Sequence, residues 1–169
     1  MGEDTGLLTG RGYIVFRRVL YASILMAMFS LGFWMLNQVL DSVAILDRSS
    51  VDVPGFVVQI DVWTYHDAAY ALLWSTFVLM VLWEIAPWKP GQLTTGRVLI
   101  ALIGFAFLTA GLWVSQDIMN ATLILHKSSV DLPFFLAKLD LYQSRDLVML
   151  LTVDAFAGFY AFTRVARAT

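Results

Sequence analysis

The chain has 169 residues, of which 59% are apolar and 14% are charged, and its mean hydropathy is +0.74. This composition exceeds what the core of one soluble domain requires and predicts an integral membrane protein. The formal net charge of −2 excludes a basic surface for nucleic acid, and the lack of cysteine excludes disulfides, thiol catalysis and cysteine-ligated metals.

Four windows are apolar enough to cross a bilayer, since charge in hydrocarbon is costly and about 20 apolar residues are needed to span it. The windows are 19–40, 68–83, 98–116 and 147–163. The first three contain no charge, and the fourth contains Asp154. The first window is long and contains Trp34, so we expect a retained helix and not a cleaved signal peptide. The sequence therefore predicts an all-α integral membrane protein with four transmembrane helices.

The two halves of the chain match each other at a constant offset of 79 residues. The best match is between SSVDVP at 49–54 and SSVDLP at 128–133. We interpret the chain as two tandem two-helix repeats, 1–88 and 89–169, in one compact membrane domain. Because each repeat contains two spans, both copies enter the membrane from the same side. This parallel arrangement disfavours an inverted-repeat transporter, and the alternative is a duplication that retains no functional symmetry.

The basic residues are distributed unevenly around the four windows. Seven Lys and Arg residues flank the side that holds the termini, whereas four lie on the side of the outer segments 41–67 and 117–146, together with nine Asp residues. The positive-inside rule then places both termini in the cytoplasm, in a cell or inner membrane. The outer segments are expected to form a small structured extracytoplasmic cap.

The outer segments are long and half apolar, which indicates regular structure. Helical spacing predicts that helices one and three project beyond the bilayer until Pro54 and Pro133 end them. Residues 58–62 and 137–141 alternate with period two, which fits either short strands that pair across the two repeats or, equally well, an interfacial helix. The N-caps of helices two and four are predicted to be the acids that precede their windows, Asp67 and Asp146.

Asp154 is the strongest single signal in the chain, because an acid at mid-membrane depth must be paired, protonated or hydrated. It shares a helix face with small residues that permit close approach of another helix: Ala157, Gly158 and Ala161. We therefore expect Asp154 to point into the bundle. The candidate hydrogen-bond partners at similar depth are Ser75 (its counterpart in the repeat), Thr76, Thr109 and Ser30. The acid is either part of a proton or cation relay, or a protonated group bonded to a hydroxyl or a neighbouring subunit.

The candidate metal ligands lie outside the windows. Asp52 and Asp131 form an outer acidic pair that would suit a hard cation, although we favour a role in turning the chain before proline. His66 and His126, with Asp67 or Asp131, could bind copper or zinc. We expect ordinary surface histidines instead, and we predict no metal and no cofactor.

Aromatic and apolar residues near the membrane surfaces are candidate contacts with other subunits: Phe56, Val57, Phe134, Phe135, Trp34 and Trp113. Trp34 and Trp113 each follow a glycine by two residues. A flat quinone or sterol slot is one interpretation of this pairing. We favour helix packing at the glycine and an interfacial anchor at the tryptophan.

The sequence contains no hydrolase, phosphate-binding or metalloprotease motif, so we do not predict an enzyme. The leading hypothesis is a non-catalytic integral membrane subunit of a larger complex, for example a redox or energy-converting one, or of a homo-oligomer. Its partners would be the lipid bilayer and other membrane subunits or copies of itself. The alternative is a small cation or proton pathway that uses Asp154.

Overall fold

The computed structural model describes residues 11–52, 58–85, 95–132 and 137–168, and this part of the chain is mostly helical. Its helices are α1 (Arg11–Ala44), α2 (Val62–Ile85), α3 (Thr95–Met119, continued by a π-helical turn at Asn120–Ile124) and α4 (Leu141–Ala168). Three of them are long and apolar enough to cross a membrane, over Tyr13–Ala44, Val62–Trp83 and Thr95–Ile124. The prediction of a helical chain is confirmed, together with three helices that are long and apolar enough to cross a membrane.

A residue in the left-handed backbone conformation follows α1, and another follows the π-helical turn after α3. Asp47 has a φ of 48° and His126 a φ of 51°. Just beyond them, the Arg48 amide donates to the Ser42 carbonyl at 2.9 Å, and the Lys127 amide donates to the Ala121 carbonyl at 2.8 Å. Each of these hydrogen bonds joins residues six positions apart and gives a partner to a carbonyl group that has none within the helix.

The expectation that prolines end these helices is therefore wrong, because the chain leaves each helix several residues earlier. Pro54 and Pro133 themselves lie outside the described residues.

Each connection at this end of the molecule contains a two-stranded antiparallel sheet. β1 (Ser50–Asp52) pairs with β2 (Gln59–Asp61), and β3 (Ser129–Leu132) pairs with β4 (Ala137–Asp140). The strands form where the sequence alternates, but each pairs within its own connection. The expectation of pairing across the two halves is wrong, as is the alternative of an interfacial helix, because a neighbouring strand in the same connection supplies the partner.

The N-caps of α2 and α4 are Asp61 and Asp140, not Asp67 and Asp146. Asp61 accepts the backbone N–H groups of Trp63 and Thr64 at 3.0 and 3.3 Å. The Asp140 carboxylate accepts a hydrogen bond from the backbone N–H of Gln143 at 2.8 Å. The backbone N–H of Asp140 in turn donates to the side-chain oxygen of Gln143 at 3.4 Å, as in a capping box. Both helices begin directly after a strand, so Asp67 and Asp146 lie within the helices.

The helices pack as two hairpins, α1 with α2 and α3 with α4. A buried stripe at heptad-like spacing runs along each helix, and in α3 it consists of Gly104, Leu108, Gly111, Ser115 and Ile118. In α1 the stripe begins only at Gly32, so the first half of that helix exposes large apolar side chains such as Phe16 and Met26. The core is therefore concentrated toward the end of the bundle that carries the strands, called the strand end below.

The opposite end of the first hairpin is held by aromatic contacts. The Tyr21 hydroxyl donates to the Leu79 carbonyl at 2.8 Å, and its ring stacks on Trp83 with centroids 4.1 Å apart. The Arg17 guanidinium lies 5.8 Å from the centroid of the same Trp83 ring.

A second tryptophan, Trp74, lies in the middle of α2. Its ring packs on Phe105 of α3 with centroids 4.6 Å apart, which explains an aromatic residue in mid-helix.

Candidate functional site

Asp154 lies level with the middle of α3. On one side of it along α4, the Thr152 hydroxyl is 3.5 Å from the position that a Cβ on Gly111 would take. On the other side, the Ala155 carbonyl is 3.2 Å from the equivalent position on Gly104. Both glycines are in the apolar helix Thr95–Ile124. If α3 spans a membrane, Asp154 is therefore at mid-membrane depth.

The side chain of Asp154 nevertheless points away from the bundle. The face that α4 buries consists of Ser144, Val148, Thr152, Ala155, Phe156 and Phe159. Asp154, Ala157 and Gly158 are all exposed on another face. The expectation that Asp154 points inward is wrong, because the face of α4 that carries Val148, Phe156 and Phe159 is the one packed against the other helices.

The polar residues proposed as partners of Asp154 do not bond to it. Thr76 is buried and donates to the Leu72 carbonyl at 2.7 Å, and Thr109 is exposed and donates to the Phe105 carbonyl at 2.9 Å. Ser75 and Ser30 are exposed on α2 and α1. Within the described residues, no side chain hydrogen-bonds or pairs ionically with Asp154.

The outer acids Asp52 and Asp131 have neighbours in their own connections. Asp52 accepts a hydrogen bond from Gln59 at 2.9 Å and lies 3.7 Å from the Arg48 guanidinium. Asp131 is opposite Lys138 in the second sheet. Over the described ranges, no group of three or more His, Asp or Glu residues is arranged to hold a metal ion. The proposed role of both acids in turning the chain before proline concerns turns that lie outside the described residues.

His66 is fully buried, and the expectation of a surface histidine is wrong for this residue. Its Nε2 is 2.7 Å from the Ser115 hydroxyl on α3, and its Nδ1 is 3.3 Å from the Asp67 carboxylate. Sequence reasoning missed this because of the adjacent Asp67. The buried spacing Val62–His66–Ala69–Leu73 along α2 would have been the signal. His126, in contrast, is exposed.

A buried polar cluster joins α2, α3 and α4 close to His66. The Tyr70 ring lies 4.9 Å from the imidazole of His66. A Cβ on Gly111 would be 3.4 Å from the Tyr70 hydroxyl and 3.5 Å from that of Thr152. The missing side chain of Gly111 therefore makes room for two hydroxyl groups between the helices.

A second polar cluster, which sequence reasoning also missed, joins α4 to α1. Arg145 Nε lies 2.7 Å from an Asp41 carboxylate oxygen, and Arg145 Nη2 donates to the Asn37 side-chain oxygen at 2.9 Å. The Asn37 amide donates to the other Asp41 oxygen at 3.0 Å. All three side chains are partly buried. The cluster therefore fixes the two hairpins against each other at the strand end.

The glycine–tryptophan pairs do not form a slot. Gly32 is buried against Leu73, and a Cβ on Gly32 would be 3.0 Å from the Leu73 side chain. Trp34 is exposed. Gly111 is buried at the polar cluster, and Trp113 is largely exposed. In both pairs the glycine serves helix packing. The remaining interface candidates, Phe56, Val57, Phe134 and Phe135, lie outside the described residues.

His66 and Arg145 thus contact neighbouring helices, whereas Asp154 faces outward and has no side-chain partner within the described residues. Comparison with protein-family models, with curated proteins and with solved structures finds no match for this chain.

Proposed function

We propose that this chain is a non-catalytic integral membrane subunit that crosses the bilayer four times and functions inside a larger assembly. The observation that carries the proposal is the outward orientation of Asp154. A charged side chain at the bilayer centre costs about 2.5 to 3.5 kcal/mol on insertion scales. A neighbouring protein surface would remove Asp154 from lipid and supply the partner that its own chain does not.

The four-span arrangement is supported by features that recur 79 residues apart. The left-handed residues Asp47 and His126 are separated by this offset, as are the capping residues Asp61 and Asp140. The pairing of Val51 with Ile60 in the first sheet returns as that of Val130 with Leu139 in the second. We propose that α4 crosses the membrane as its counterpart α2 does.

The orientation proposed for the subunit follows from its basic residues. Arg17 and Arg97 lie at the beginnings of α1 and α3, and the strand end carries most of the aspartates. Both termini would then be cytoplasmic and the two sheets extracytoplasmic, in a cell or inner membrane.

The competing proposal, a cation or proton pathway through the chain, has weaker support. A relay inside the bundle requires Asp154 among the buried polar groups. The structure has hydroxyls and an imidazole there, but Asp154 is on another face of α4. Liposomes with the purified chain would test the pathway directly. Ion flux that persists in Asp154→Asn would contradict a pathway that uses this acid.

Assembly state in the native membrane tests the subunit proposal. We expect the chain, extracted in a mild detergent and weighed by native mass spectrometry, to be in stoichiometric complexes with other chains or with itself. Extraction in lipid nanodiscs controls for dissociation by detergent. A chain that is monomeric in both preparations would contradict the proposal.

A further inference from the structure

The exposed side of α4 around Asp154 combines an acidic side chain with small residues that leave the helix backbone accessible. Ala157 and Gly158 are three and four residues after Asp154, so the three residues lie on one side of α4. A Cβ on Gly158 would have no neighbour within 4 Å. Small residues at such positions let a second helix approach closely in a membrane. We call Asp154, Ala157 and Gly158 the α4 face.

The corresponding face of α2 lacks this combination. Ser75, the counterpart of Asp154, is followed at the same spacings by Val78 and Leu79, and then by Leu82. Val78 and Leu82 are large and exposed. The acid and the small residues therefore occur together on α4 but not on α2, although both helices expose apolar surface.

The Asp154 carboxylate has no basic partner at the same depth among the side chains that the structure describes. The basic ones among these lie toward helix ends or in the connections: Arg17, Arg18, Arg48, Arg97, Lys127, Lys138 and Arg145. Arg145 is also engaged by Asp41. A second copy of the chain would present apolar side chains or another acid, and two acids in hydrocarbon oppose each other's ionisation.

We propose that the α4 face binds a transmembrane helix of a different protein, one that carries lysine or arginine at mid-membrane depth. This inference rests on the proposed subunit function and specifies the chemistry of the partner. The opposite charges neutralise each other in a medium that screens them weakly, and Ala157 and Gly158 allow the partner's backbone to lie close to α4.

A model helix tests the proposal without knowledge of the natural partner. The full chain, labelled with a donor dye, is reconstituted into liposomes with a leucine–alanine transmembrane peptide that carries an acceptor dye and one central lysine. The matched control peptide has leucine at that position. From energy transfer we expect the lysine peptide to bind about tenfold tighter than the leucine peptide. In Asp154→Asn, which keeps the shape and removes the charge, this preference should disappear.

Two further variants separate the α4 face from a general attraction to any acid. The double variant Asp154→Ser with Ser75→Asp moves the carboxylate to the bulkier face of α2, and we expect it to lose most of the preference. Gly158→Leu keeps the acid but fills the open backbone. It should weaken binding of the lysine peptide without lowering the thermal stability of the chain alone, because the leucine side chain meets open space.

Three outcomes would overturn the inference: equal binding of both peptides, an unchanged preference in Asp154→Asn, or full recovery of the preference in the double variant. Self-association that depends on Asp154 and displaces the lysine peptide would also overturn it, by identifying a second copy as the occupant. These failures are distinguishable from failure of the subunit proposal, which is decided by the mass of the native assembly.

Discussion

Arg145 and His66 are polar side chains that reach from one hairpin to the other. Their numbers differ by 79, and each is in the first turns of the second helix of its hairpin. Arg145 contacts Asp41 of α1, and His66 contacts Ser115 of α3. Burial of a polar group lowers the stability of a protein unless the group has a hydrogen-bond or ionic partner. Each contact therefore also favours one relative placement of the hairpins.

Arg145→Ala is expected to destabilise the bundle. The change leaves the partly buried carboxylate of Asp41 without its cation, and we expect it to lower the free energy of unfolding by about 1 to 3 kcal/mol, between values for exposed and buried pairs. Unfolding in mixed micelles measures this loss. A double-mutant cycle with Asp41→Ala should give a coupling energy of about 1 kcal/mol or more.

The matched control for this cycle is the pair of Arg48 and Asp52, whose side chains are 3.7 Å apart and mostly exposed. Its coupling energy is expected to stay below about 0.5 kcal/mol, because water screens the pair. Equal coupling energies in the two cycles would show that the contact of Arg145 with Asp41 adds no more to the free energy of unfolding than a surface ion pair.

At the residue scale the sequence predicted chemistry better than orientation. It singled out Asp154 as an unusual acid within an apolar window, and this remains a prediction about its role. It could not decide which side of α4 faces the bundle, because small residues suit both a tight internal packing and an open surface. The stripe of Val148, Thr152 and Phe159 on the other side would have been the better guide.

At the scale of elements, the contact of α3 with α2 and α4 depends on Gly104. A Cβ at this position would be 2.9 Å from two ring carbons of Phe77 and 3.2 Å from the Ala155 carbonyl. Phe77 is itself packed against Phe156 and Phe159, with ring centroids 5.8 and 5.6 Å away. The ring therefore has little room to move.

We expect Gly104→Ala to destabilise the bundle despite the better helix propensity of alanine. Overpacking costs about 1 to 3 kcal/mol, and alanine returns about 0.5 to 1 kcal/mol in a helix. Unfolding of the purified chain measures the net change. Gly96→Ala, at a position in α3 with nothing within 4 Å, is the control and should be neutral or slightly stabilising, because only the helix propensity of alanine acts there. A neutral result for Gly104→Ala would contradict the close packing of these helices.

The positions of the elements were predicted more accurately than their ends. Each apolar window lies within a helix, but α2 begins at Val62 instead of near Ala68. A window bounded by charge marks the part of a helix that suits lipid, whereas a helix ends where its backbone groups find other partners. Those partners are Asp61 at the start of α2 and the left-handed Asp47 after α1. Strand pairing was missed because alternation alone does not identify the neighbouring strand.

At the scale of the whole molecule, the proposed topology predicts which connections share a side of the membrane. Because the chain contains no cysteine, single-cysteine variants carry one reactive site each. Ser49 and Ser128 are exposed in the outer connections, and Gly96 is exposed at the start of α3. In intact cells, an impermeant maleimide should label Ser49→Cys and Ser128→Cys but not Gly96→Cys.

Permeabilised cells provide the control, since all three cysteines should then react. Labelling of Gly96→Cys in intact cells, with the two serine positions protected, would invert the orientation. Labelling of Ser49→Cys without Ser128→Cys would place the two sheets on opposite sides and contradict the parallel arrangement of the halves.

Asn37 and Arg145 are 108 positions apart in the chain, although their side chains touch. During synthesis the first hairpin therefore leaves the ribosome long before the guanidinium that neutralises Asp41 is made. Until α4 is made, this carboxylate has no guanidinium beside it, so the first hairpin alone contains an acid without its cation at the strand end. A product that stops after α2 would retain this acid without its cation, whereas the completed bundle pairs it with Arg145.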